Sequence, residues 1–122
     1  MAWAAPAKEL PASVVQAFEA YTSLPGKLVP VLKKVQDKAS ASTAARELNA
    51  ALPAIYQARE LLHNMPGLTL EQNQQVRTSY GQRMREAWAG MYEEISRLKQ
   101  ARCYQSAEFA DIFHLMCMMI ER

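Results

Sequence analysis

The most restrictive feature of this sequence lies in its second half, where Val76, Tyr80, Met84, Ala87, Met91, Ile95 and Leu98 recur at intervals of three and four residues. That spacing follows the 3.6-residue turn of an α-helix and excludes a pleated strand, whose faces alternate every two residues. The stripe predicts one long helix with a single apolar face. Such a face must be covered by other elements, and the rest of the chain has to supply them.

Three further segments carry helical stripes. In the first, Val14, Phe18, Tyr21, Leu28, Leu32 and Val35 keep phase across Leu24-Pro25-Gly26. This predicts a helix kinked at Pro25-Gly26, in two pieces of about residues 12–23 and 27–38, with Pro30 in the first turn of the second piece. Ser40 or Ser42 is positioned to cap the next helix, whose stripe is Leu48, Leu52, Ile55 and Leu62, with Pro53 bending it. Asn64-Met65-Pro66-Gly67 is a stop signal, and Thr69-Leu70-Glu71-Gln72 matches a capping box opening the long helix. After a break at Tyr104-Gln105-Ser106, Phe109, Ile112, Phe113, Met116, Met119 and Ile120 form the last stripe, with Ser106 as its N-cap.

Short connections between these segments predict an all-α, antiparallel up-down four-helix bundle. It is expected to be one domain over residues 1–122, with residues 1–11 a frayed N-terminus. The third helix would reach ~45 Å and the fourth only ~22 Å, so the third must overhang or curve.

The 122-residue chain is 50% hydrophobic, enough to bury a core without a metal or a disulfide framework. Its net charge of +2 is spread over both halves, which argues against nucleic acid as a partner. The longest apolar run, Ile112 to Ile120, is interrupted by His114 and is too short for a membrane span. Cys117 would stand about 15 Å along the last helix, too far for a disulfide with Cys103, so both are read as free thiols.

Small residues in Met1-Ala2-Trp3-Ala4-Ala5-Pro6-Ala7 resemble the surroundings of a signal-peptidase site, which suggests a mature periplasmic or secreted form. From Val31 to Leu62, the run Lys33-Lys34-Val35-Gln36-Asp37-Lys38-Ala39-Ser40-Ala41 leads into an Ala-rich helix. This stretch resembles the helical hairpins of exported bacterial proteins of uncharacterised function. The resemblance implies export and brings no activity or functional residue with it.

The sharpest candidates for chemistry are Glu60-Leu61-Leu62-His63 and Asp111-Ile112-Phe113-His114. They resemble the Glu-x-x-His pairs of ferritin-like di-iron bundles, with Glu19 and Glu93 or Glu94 in the remaining places. Helical phase opposes that reading. Asp111 and His114 fall roughly 140 to 160° from the centre of the fourth stripe, and Glu60 about 120° from the second. Asp111 also departs from the family's Glu. A haem bundle would use His114 as an axial ligand, but no Met or His lies between Pro6 and His63, and there is no Cys-x-x-Cys-His. The run His114-Leu115-Met116-Cys117-Met118-Met119 offers copper(I) ligands, which a helix fans apart by about 100° each.

The four glycines are scattered at 26, 67, 81 and 90, with no strand to form a nucleophile elbow or phosphate loop. The expectation is therefore a non-enzymatic bundle without cofactor that acts through protein–protein association, including self-association through the third and fourth helices. A di-iron or copper bundle is the alternative, with di-iron oxidase-like activity as its enzymatic form. Trp88 and Tyr92 lie roughly 60 to 100° off the third stripe, and Leu115 and Met118 on the back of the fourth. These four are the expected partner-binding residues.

Overall fold

A computed structural model describes residues 10–120; the frayed N-terminus expected at 1–11 lies outside the described residues as far as residue 9. Four α-helices form an all-α bundle: α1 (Ala12–Lys33), α2 (Lys38–His63), α3 (Leu70–Gln100) and α4 (Ala107–Ile120). There is no strand among the described residues.

Helix α1 starts at Pro11, whose carbonyl accepts from the amides of Val14 and Val15 at 3.0 and 3.1 Å. It then runs through Pro25 and Pro30 as one element and stops at Lys33, where the sequence suggests two pieces reaching 38. Pro25 has no N–H, which frees the Tyr21 carbonyl four residues back. The indole Nε1–H of Trp88 donates to that carbonyl at 3.2 Å, supplying from α3 the bond the helix lacks. The early stop follows from what the next residues do. Val35 turns inward and is fully buried, and Asp37 is taken up as the cap of α2.

Asp37, rather than Ser40 or Ser42, is the N-cap of α2. Its carboxylate accepts from the Ser40 amide at 2.7 Å, while Ser40 Oγ accepts from the Asp37 amide at 3.0 Å. These bonds from Ser40 hold the Asp37 carboxyl below the usual carboxylate range. The buried face of α2 includes Ala41, Ala44, Ala45 and Ala58 as well as Leu48 and Ile55, small side chains that let neighbouring backbones approach closely. Asn64 ends the helix, at the predicted stop.

The predicted capping box of α3 is present: the Gln72 amide donates to Thr69 Oγ1 at 3.1 Å and the Thr69 amide to Gln72 Oε1 at 2.9 Å. Ser106 likewise caps α4, accepting from the Phe109 amide at 3.2 Å.

Between α3 and α4 the backbone takes an unusual course. Arg102, Cys103, Tyr104 and Gln105 have φ of 53, 53, 53 and 62°, a left-handed turn without glycine. Each such residue costs about 1–2 kcal/mol, so the turn depends on its surroundings. Cys103 is buried in the core, and the Tyr104 hydroxyl accepts from Arg97 Nη1 at 3.2 Å. The same guanidinium donates to the Val35 and Leu32 carbonyls, both at 2.9 Å, satisfying the end of α1.

Helix α1 packs on α2 and α3, and α2 packs on α4. The α1–α3 pairs climb together: Phe18 with Tyr80, Glu19 with Arg83, Tyr21 with Trp88, and Leu32 with Arg97. These two helices therefore run in the same direction. No Cα of α3 comes within 8 Å of one in α4. Their seam is filled by side chains alone, among them Met91, Ile95 and Leu98 from α3 and Phe109, Phe113 and Met116 from α4. Among the described residues no helix is long and apolar enough to cross a membrane.

Candidate functional site

The wide α3–α4 spacing and the shortness of α4 border two of the concave surfaces of the molecule. At 1.5 Å per residue α4 spans about 21 Å and α3 about 46 Å, so α3 continues well beyond the point where α4 stops. A cavity of about 480 Å³ lies at that point. Met119 and Ile120 close one side of it, Trp88 of α3 with Tyr21 and Leu24 of α1 another, and α2 contributes Ile55, Tyr56, Arg59, Glu60, Leu62 and His63. A second cavity, of about 610 Å³, lies beside the left-handed turn; Lys99, Arg102 and Cys103 face Asp111, His114, Cys117 and Met118 across it. The third feature is an open groove of about 490 Å³ along α1 and α3, formed by Tyr21, Gly81, Met84, Arg85, Trp88, Ala89 and Tyr92.

The two acid-x-x-His motifs are split between separate cavities. Glu60 and His63 line the first, Asp111 and His114 the second, and all four are exposed. Glu19 pairs with Arg83 at 3.3 Å, Glu94 with Arg97 at 2.9 Å, and Glu93 is exposed. Among the described residues no three His, Cys, Asp or Glu side chains converge as metal ligands. The soft-ligand run is divided too: Met116 and Cys117 are buried, while His114 and Met118 face outward. Cys103 and Cys117 are both buried, and they line the same cavity. Burial pushes the Cys103 thiol up, keeping it protonated and a poor nucleophile.

Of the four expected partner-binding residues, Tyr92, Leu115 and Met118 are 47, 45 and 44% exposed. Trp88 is corrected: it is only 5% exposed. The flank of α3 that carries it is covered by α1, where its ring stacks on Tyr21 with centroids 4.6 Å apart. Tyr92 borders the α1–α3 groove and Met118 the second cavity, so no cavity collects the exposed residues.

Tyr21, Tyr56 and Arg59 are lining residues that stripe analysis passes over. Tyr21 belongs to the first stripe and reads as core, although it is only partly buried. Tyr56, 58% exposed, and Arg59 lie off the second stripe and read as solvated positions. Burial, with Tyr92 adding a smaller effect, raises the Tyr21 phenol above its ordinary value and keeps it neutral. Comparison of the chain with protein-family models, curated proteins and solved structures finds no match in any of the three.

Proposed function

We propose that this protein is a non-enzymatic helical bundle that acts by protein–protein association, through the α1–α3 groove, and that the groove is filled by the same face of a second copy. One observation carries this: an aromatic row that passes from core to surface. Tyr21 stacks on Trp88 at 4.6 Å, and Trp88 lies 5.9 Å from Tyr92, whose ring is half exposed at the edge of the groove. The inner end of the row is fixed by the Trp88–Tyr21 hydrogen bond, so the exposed end is presented with little freedom left to lose. Among the described residues Arg85 is the only charged one in the lining, which makes desolvation of the groove cheap. Two-fold pairing would set each Tyr92 against the other copy's groove, the self-complementary arrangement of a symmetric dimer. An up-down antiparallel path, a bend at Pro25-Gly26 and export of the chain accompany this proposal, but the contact does not depend on them.

Sedimentation velocity over a concentration series tests it. A monomer–dimer equilibrium is expected, with Tyr92→Ser weakening the dimer about tenfold or more while its far-UV circular dichroism stays that of the folded parent. Leu115→Ser and Met118→Ser, on α4, should have no effect. A monomer at every concentration, or a dimer weakened only by the α4 variants, would overturn the proposal.

A further inference from the structure

The cavity at the end of α4 has the composition of a small-molecule site. Its volume of about 480 Å³ lies within the range that such sites occupy. The Tyr21–Trp88 stack, locked by the indole hydrogen bond, gives it a rigid aromatic wall. Leu62, Met119 and Ile120 add aliphatic surface, and Tyr56 stands exposed at the rim.

The charged lining is unequal. Glu60 is engaged by Asn64 of its own helix at 3.4 Å. Arg59 is half-buried, yet it makes no hydrogen bond or ion pair among the described residues. His63, also in the lining, has no partner among them either. A guanidinium drawn partly out of water without an acceptor is a standing donor for a carboxylate, which it can hold through two parallel N–H···O bonds.

We infer that this cavity binds an amphipathic monocarboxylate, with its apolar body against Tyr21, Trp88, Leu62 and Met119 and its carboxylate on Arg59. The site does not depend on the dimer proposed above: it shares Tyr21 and Trp88 with the α1–α3 groove, but Arg59, Leu62 and Met119 line this cavity and not the groove.

Titrations with octanoate and 3-phenylpropanoate test the inference, with octan-1-ol and octylammonium as neutral and cationic controls. In a Trp3→Phe background Trp88 is the sole tryptophan, so its emission reports occupancy of the wall. Saturable binding of at least one carboxylate is expected, about tenfold or more tighter than the alcohol, with no binding of the ammonium. Arg59→Gln should abolish that preference and Arg59→Lys should keep part of it, with melting temperatures close to the parent's because Arg59 makes no hydrogen bond or ion pair among the described residues. Binding of carboxylate and ammonium alike, an unaltered preference in Arg59→Gln, or no binding of either carboxylate at millimolar concentration would overturn it. A change in alkyl against aryl preference in Leu62→Ala distinguishes which apolar body the wall accepts.

Discussion

Replacing Trp88 by Phe keeps an aromatic ring beside Tyr21 but removes the only donor to the carbonyl that Pro25 leaves free. The hydrogen bond is 3.2 Å long and partly buried. Orphaning such a carbonyl costs about 1–3 kcal/mol. Truncating the bicyclic ring of a side chain that is 5% exposed removes a further few tens of Å² of apolar contact, about 1 kcal/mol. The expected loss is therefore about 2–4 kcal/mol. The decisive comparison is with a Pro25→Ala background, where residue 25 regains an N–H that can donate to Tyr21 itself. Pro25 is fully buried, so its replacement alone shifts stability through packing as well, and only the double-mutant cycle isolates the bond. In that background Trp88→Phe should cost only its packing share, giving a coupling of about 1–3 kcal/mol. Urea unfolding followed by circular dichroism measures all four proteins without relying on tryptophan emission. A coupling within about 0.3–0.5 kcal/mol of zero would show that the indole does not replace the missing helical bond.

Three other outcomes are expected. Among the described residues Thr22 Oγ1 is buried without a hydrogen-bond partner, so the near-isosteric Thr22→Val should stabilise the fold by about 1 kcal/mol in the same urea assay, and a loss would show that the hydroxyl is satisfied. Because Asp37 has a folded-state pKa below its unfolded one, its cap contributes above the ordinary carboxylate value near pH 4 and is lost as pH falls further. Asp37→Ala should accordingly melt below the parent at neutral pH, with the difference shrinking as pH falls below the ordinary carboxylate range, as read by thermal melts across pH. Protein purified without chelator should hold only substoichiometric iron and copper by mass spectrometry, since Glu60 and His63 are separated from Asp111 and His114; one metal per chain would restore the di-iron or copper reading.

The elements that a sequence shows well are those set by local rules. The third stripe became α3, and the Thr69 and Ser106 caps formed because each needs only a side chain and an amide three residues away. Asp37 was harder to read: Asp and Ser are both good caps, and the choice went to the residue that let Ser40 complete the reciprocal pair. Trp88 illustrates a different limit. Its angle from the α3 stripe is sound, but burial is decided by where α1 lies, and the hint was in α1 itself, in the carbonyl that Pro25 leaves without a donor. The left-handed turn has no glycine or asparagine to announce it. Cavities arise where three or four helices fail to meet, and no single segment carries that information. The exposure of Glu60, Asp111 and His114, by contrast, was already present in their helical phase.

The turn at Arg102–Gln105 also bears on the order in which the molecule assembles. A right-handed helix elongates one hydrogen bond at a time, and four consecutive residues of opposite hand are a barrier that elongation from α3 cannot cross. Helix α4 must therefore nucleate separately, and at 14 residues it is too short to persist until it docks on α2. In the folded bundle the strained turn is held by Arg97, which sits on the end of α1 and donates to the Tyr104 hydroxyl. Helix α4 is accordingly the part of the bundle whose amides should exchange with solvent without global unfolding.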